Sequence, residues 1–329
     1  MLLRILKSNT LFSPLLIPFI GILFWIHSLR SPVKLDLSLA NGGMPLYYLI
    51  IHSIKNQDFW QVFMAFLLVI LNSFFIAQLG SAFIFLKRRS YLPGIIYLIT
   101  VSSFGVLHSF LPVHLATLFV LISIYFIFDT YHKKVEITYT FNASFFLAIA
   151  SLFYLPVVVL FPLVWISIFV LQKDDNWRLL AVPILGFGVP WLFMWVYTFL
   201  NDTYKTLWKE LVDMLWTRHN EYLIQPYFLL LTAVVAILTT LGSFSVLTVY
   251  QRIKVSARKY FVICYWTMGL VIVSALGLMT ISIEIIALST IPVAFFISHY
   301  LISDQRTKLK EVLTWIYLGT AVIVLILYV

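Results

Sequence analysis

The sequence predicts an all-α fold, a polytopic transmembrane helical bundle, and three observations carry that reading. Hydrophobic residues make up 62% of the 329 and charged residues only 11%, which leaves too little polar surface to cover a water-soluble globule. Apolar runs near the length that crosses about 30 Å of hydrocarbon recur from one end to the other, and no polar stretch between them is long enough for a soluble domain. The basic residues crowd into alternate turns between those runs.

Reading each run as a helix places spans near residues 11–27, 60–86, 91–108, 111–129, 139–154, 156–172, 179–200, 226–249, 260–281, 285–302 and 311–328. That is about eleven crossings in a single integral domain over residues 1–329. The start Met1-Leu2-Leu3-Arg4-Ile5-Leu6-Lys7 has the outline of a signal peptide. Its apolar run ends in Phe24-Trp25-Ile26-His27 without a small-x-small cleavage site, so it reads as the first span. With the N-terminus in the cytoplasm, only Arg30, Lys34, Lys55, Lys205, Lys209 and Arg218 of the 22 basic residues face outside. This asymmetry follows the positive-inside rule along the whole chain.

The segment from Phe141 to Leu171 is long enough for one crossing or for two short ones folded back at Leu155-Pro156. A single crossing would put Arg252 to Lys259 and Arg306 to Lys310 outside, so the charges favour two. Leu111-Pro112-Val113 with Ile122-Ser123-Ile124 matches Leu155-Pro156-Val157 with Ile166-Ser167-Ile168 at a fixed offset, the pattern of a repeated short hairpin. Pro112, Pro156 and Pro226 each fall where a helix would begin at the external side, a position that tolerates the missing N–H. The positive ends of those helices would favour an anionic headgroup there, or the prolines simply make tight turns. Pro292 lies inside its span and should kink it.

Two external stretches are substantial. From Ser28 to Asp58 the chain holds Arg30, Lys34, Asp36, Asn41, Gly42-Gly43, Pro45 and His52, and the Gly-Gly break before Pro45-Leu46-Tyr47-Tyr48 predicts an interfacial helix in this first loop. In the fourth external loop, Asn201 to Gln225, the positions Leu207, Trp208, Leu211, Met214 and Leu215 recur at helical spacing and predict a second one. Together they would roof a cavity.

Several chemistries lack their motifs. The lone Cys264 excludes an internal disulfide and a cysteine metal cluster, and the seven histidines form no HExxH or other ligand pattern, so neither a metal nor another cofactor is expected. There is no P-loop or GxGxxG; Gly186 and Gly188 sit in an apolar span as a kink or packing point. The net charge of +9 reflects loop cations rather than a nucleic-acid-binding face. Mid-span positions are nearly free of charge, with Asn72 and Gln78 the main deep polar groups and interhelical hydrogen bonding their expected role. What remains is external: Asp36 with Lys34 and Asn41, then His108, His114, Arg218, His219 and Glu221, and Glu284. One carboxylate that deprotonates an acceptor hydroxyl, with a cation that holds a lipid phosphate, is the minimum set for group transfer. Solvated loop charges are the alternative.

The plan over roughly residues 10–175 resembles the membrane-embedded GT-C class of glycosyltransferases: a cytoplasmic start, one span, a first external loop with an acid and an interfacial helix, the Lys87-Arg88-Arg89 turn, and hairpins at Phe110-Leu111-Pro112 and Tyr154-Leu155-Pro156. Residues 176–329 would then be additional transmembrane helices. The resemblance implies a polyprenyl-phosphate-linked sugar as substrate, Asp36 as general base, and Lys34, Asn41, His108, His114, Arg218, His219 and Glu284 around the substrate. That class commonly pairs two acids in the loop, whereas here Leu37 and Ser38 follow Asp36. The whole chain also resembles polytopic inner-membrane proteins of the Bacteroidota, which implies a bacterial inner membrane and surrounding lipid but no activity. A scaffold or assembly component of an envelope complex is the other expectation.

Overall fold

The structure is a computed structural model that describes residues 13–32, 44–54, 57–83, 90–132, 136–171, 177–205, 208–209, 211–212, 225–277, 283–303 and 307–328. Among these residues the chain is helical and contains no strand. Its α-helices are α1 (Leu16–Arg30), α2 (Pro45–Ile54), α3 (Asp58–Ala82), α4 (Leu92–Ser102), α5 (Pro112–Asp129), α6 (Glu136–Phe153), α7 (Pro162–Leu171), α8 (Trp177–Leu200), α9 (Pro226–Thr248), α10 (Val255–Gly277), α11 (Ile285–Ile302) and α12 (Thr307–Tyr328). Seven of the helical segments are long and apolar enough to cross a membrane: those of α1, α3, α5, α8, α9, α11 and α12. The protein is therefore a multi-pass membrane protein.

Two helices form the centre. Every residue of α4 is buried, and α11 buries all but a few of its eighteen. They pack on one another, with α1 and α3 against α4, and α9 and α10 against α11. Small residues allow the approach: a Cβ on Gly94 would run into the Ser73 carbonyl of α3, and one on Gly242 into the Phe296 carbonyl of α11. By contrast α1 buries only the stripe Ile17, Gly21 and Trp25, one residue per turn, and leaves Phe19, Ile22 and Leu23 exposed. Exposed apolar side chains of this kind suit a helix whose outer face meets hydrocarbon.

The ends of the helices gather in two layers. In one, Ser28 of α1 meets His108, the Tyr47 hydroxyl of α2 donates to the Phe110 carbonyl (2.8 Å), and the Met44 amide donates to the Phe153 carbonyl (3.2 Å). Phe228 of α9 packs there between Phe104 and Tyr328. We call this the histidine end. In the other layer Phe83, Phe128 and Tyr260 form a ring cluster, and Lys259 donates to the Leu171 carbonyl (3.2 Å) while its ammonium sits over the Tyr131 ring. Lys310 donates to the carbonyl and hydroxyl of Ser303. This is the basic end. Residues 131 and 171 thus share the basic end while 153 lies at the other, so the segment between them folds back as the loop charges require.

The turns differ from expectation in detail. The run expected to span 91–108 stops as an α-helix at Ser102 and closes with a 3-10 turn, Gly105–His108. Pro156 opens a 3-10 segment, Leu155–Leu160, and α7 begins only at Pro162. A local cause contributes: Pro162 has no N–H and its ring would crowd the carbonyl four residues back, which disfavours a continuous α-helix from 155 through 162. The paired hairpins are therefore alike in outline but not in turn geometry. Ser28 and Arg30, read from the sequence as the start of the first loop, belong to the last turn of α1. The first-loop helix appears as α2, beginning at Pro45. Most of the fourth-loop helix lies outside the described residues; Trp208 is exposed, whereas Leu211 packs beside Leu152 and Met194. Gly186 is a packing point against Ser144 and Phe141, and Gly188 faces open space.

Candidate functional site

The histidine end collects polar groups from six helices and from the 3-10 turn that carries His108. On α1 the buried stripe of Ile17, Gly21 and Trp25 carries on to Ser28, one turn further along. That register aims Trp25 and Ser28 at the turn after α4. The Trp25 indole donates to Ser102 Oγ at 2.8 Å and its ring stacks on His108 at a centroid distance of 4.1 Å. His108 Nε2 lies 2.8 Å from the Ser102 carbonyl, an acceptor only, so Nε2 carries the proton and donates. Nδ1 is then bare, and the Ser28 hydroxyl donates to it at 2.6 Å. His108 is held on three sides as a neutral imidazole: burial pushes it down to about 4 from its ordinary 6.5, and its bond to Ser102 opposes that only in part.

His114 follows one turn into α5. Its Nε2 reaches back to the carbonyls of Leu107 (2.9 Å) and Ser109 (3.2 Å), so it too donates from Nε2 and closes the turn on itself. Its own carbonyl accepts from Asn72 Nδ2 of α3 at 3.1 Å, the interhelical bond expected of that residue. Glu284, at the N-terminus of α11, is fully buried. Burial, followed by the Glu284 charge and that of Tyr48, raises the phenol of Tyr47, so Tyr47 stays a donor to the Phe110 carbonyl at any working pH. A carboxylate at a helix N-terminus is favoured by the unpaired N–H groups there.

The structure therefore brings His108, His114 and Glu284 to one end of the bundle. Asp36, Lys34, Asn41, Arg218 and His219 lie outside the described residues. The loop that carries Asp36 joins α1 to α2, and both helices are anchored at this end by Ser28 and by Met44 and Tyr47. Sequence reading missed Ser28, Trp25, Ser102 and Tyr47. A signal existed for two of them, since Trp25 continues the four-residue spacing of Ile17 and Gly21 and Ser28 follows it at three, on the same helix face; nothing local marks Ser102 or Tyr47.

In chemical terms the arrangement pairs a half-buried serine hydroxyl with a neutral histidine whose second nitrogen is fixed by a backbone carbonyl. That geometry can pass a proton, and it also pins α1 to the α4–α5 turn. Comparisons with protein families, curated proteins and solved structures find no match to this chain.

Proposed function

We propose that this chain is a polytopic protein of a bacterial inner membrane that transfers or handles a polyprenyl-phosphate-linked sugar at its external face, on a GT-C-like plan of about eleven crossings. The histidine end is then external and the N-terminus cytoplasmic, a sidedness supported by the cations Arg252, Arg258, Lys259 and Lys310 near the opposite ends of their helices. One observation carries the reading. The first loop, with Lys34, Asp36 and Asn41, is tied by both its flanking helices to the end where Ser28, His108 and Glu284 meet. There α5 and α9 begin at Pro112 and Pro226, and their unpaired N–H groups favour an anion. In this reading Asp36 takes the acceptor proton and Arg218 grips a phosphate with its planar fork.

A second reading, a non-enzymatic scaffold of an envelope complex, is favoured by a different observation: both histidines spend Nε2 on backbone carbonyls, and Glu284 is buried beneath the surface. Titration of the purified protein with a polyprenyl phosphate, read by native mass spectrometry, separates the two. Arg218→Ala should weaken binding by about 1.5–3 kcal/mol, the range for a hydrogen bond to a charged group, and Arg218→Lys should restore part of it. Asp36→Asn should abolish transfer and leave folding intact. No binding by the native protein, or equal binding by Arg218→Ala, rejects the lipid-phosphate reading and leaves the scaffold.

A further inference from the structure

Asn72 and Gln78 lie on the same helix, yet they meet different surroundings. Asn72 is buried and bonded to α5. Gln78, six positions on, is exposed, and among the described residues its side-chain amide makes no hydrogen bond. It lines a cleft of about 250 Å³ between α3 and α5 with Phe75, Leu79, Ala82 and Tyr125. Tyr125 is also exposed, and its hydroxyl likewise has no partner in the chain among the described residues. An amide and a phenol facing hydrocarbon without partners are costly.

Their depth is informative. Gln78 lies four residues before the described end of α3 at Ala82, and Tyr125 four before the end of α5 at Asp129. At 1.5 Å per residue both stand about 6 Å inside their described helix ends; with those ends at the headgroups, that is the depth of ester and glycerol groups. The sequence that follows each of the two wall helices has one dominant sign of charge. In sequence α3 is followed by Lys87-Arg88-Arg89 and α5 by Lys133-Lys134, against Asp129 and Glu136. An excess of cations in the connections that follow α3 and α5 in sequence, at the end where Lys259 and Lys310 also lie, selects an anionic headgroup.

We propose that the cleft between α3 and α5 at the basic end is a binding site for an anionic phospholipid of that leaflet. One acyl chain lies on Phe75, Leu79 and Ala82, and an ester carbonyl accepts from the Gln78 amide and the Tyr125 hydroxyl. The site is at the opposite end of the bundle from the sugar-handling site and rests only on the protein being multi-pass.

The test is native mass spectrometry of the full chain released from nanodiscs of equal parts phosphatidylglycerol and phosphatidylcholine. The native protein should keep phosphatidylglycerol in preference. The double substitution Gln78→Leu with Tyr125→Phe should lower that retention about ten-fold, as two lost neutral hydrogen bonds imply, and Gln78→Leu alone should give a smaller drop. Thermal stability in lipid-free detergent should stay unchanged, because neither side chain hydrogen-bonds to another of the described residues. Equal retention of the two lipids, or undiminished retention by the double variant, overturns the proposal. A dimer that the double variant dissolves would also overturn it, making a second copy the occupant.

Discussion

At the histidine end Ser28, Trp25 and His108 meet as neutral groups in a buried turn, whereas at the basic end Lys259 and Lys310 bring charges against the last carbonyls of α7 and α11. Helix direction accounts for the contrast. Helices α5, α7, α9 and α11 present their N-termini at or toward the histidine end, where proline and a buried carboxylate suit the unpaired N–H groups, and their C-termini at the basic end, where cations suit the carbonyls. Polar groups that look functional in the sequence are thus partly those that any alternating bundle requires at its two ends. A charge at the end opposite to the one its helix dipole prefers would be the more informative sign of chemistry.

The comparison predicts unequal sensitivities. Trp25→Ala removes the stack on His108 and the bond to Ser102 together and should cost the most, about 3–5 kcal/mol, read as the loss of thermal stability in detergent. A cost below 1 kcal/mol would mean that the histidine end is not held as a packed unit.

Next is the response to pH. The folded pKa of His108 is depressed, so the unfolded chain binds more protons in the window from about 6.5 down to about 4. Stability should be complete above that window and decline as pH falls through it. The loss at the low end should be on the order of 2–3 kcal/mol, and the decline should be flatter in His108→Gln. A variant with the native slope would break the assignment of a neutral, buried His108.

At the other end Lys310 is almost wholly buried, with its ammonium on Ser303 and near the Tyr300 ring. Lys310→Met should cost roughly 1.5–3 kcal/mol, as for a hydrogen bond to a charged group. The half-buried Lys259 is better hydrated, so Lys259→Met should cost only about 0.5–1 kcal/mol, and this smaller cost alone should shrink further at high salt. Equal losses at the two lysines would remove burial as the factor that ranks them.

Much of the architecture was legible. Loop charges anticipated the fold-back near residue 154, because crossing number is fixed by which side each basic turn occupies. Gly42-Gly43 followed by proline marked the start of α2, since the sequence there changes from breaker to helix former. What was not legible was rotation about each helix axis. A helix apolar on all sides, such as α4 or α11, carries no stripe to show which face meets which neighbour, so their pairing across more than a hundred residues could not be read. The same limit hid the bond between Ser28 and His108, which depends on how α1 is turned. Gln78 and Asn72 looked equivalent for that reason too.

The fully buried α4 has a consequence for how the protein is made. Eleven residues rise about 16 Å, far short of the bilayer, so this segment is poorly suited to insertion as a lone helix and is best delivered as a hairpin with α5. Even then one flank stays bare, because α11 begins at residue 285 and Tyr317 of α12, which meets the Thr100 hydroxyl at 2.7 Å, emerges later still. At common rates of synthesis that flank waits on the order of 10–40 s for α11. During that interval Thr100 faces lipid or a chaperone rather than its final neighbour Tyr317, which makes the nascent chain, more than the finished protein, the stage at which quality control would recognise a defect in the centre of the bundle.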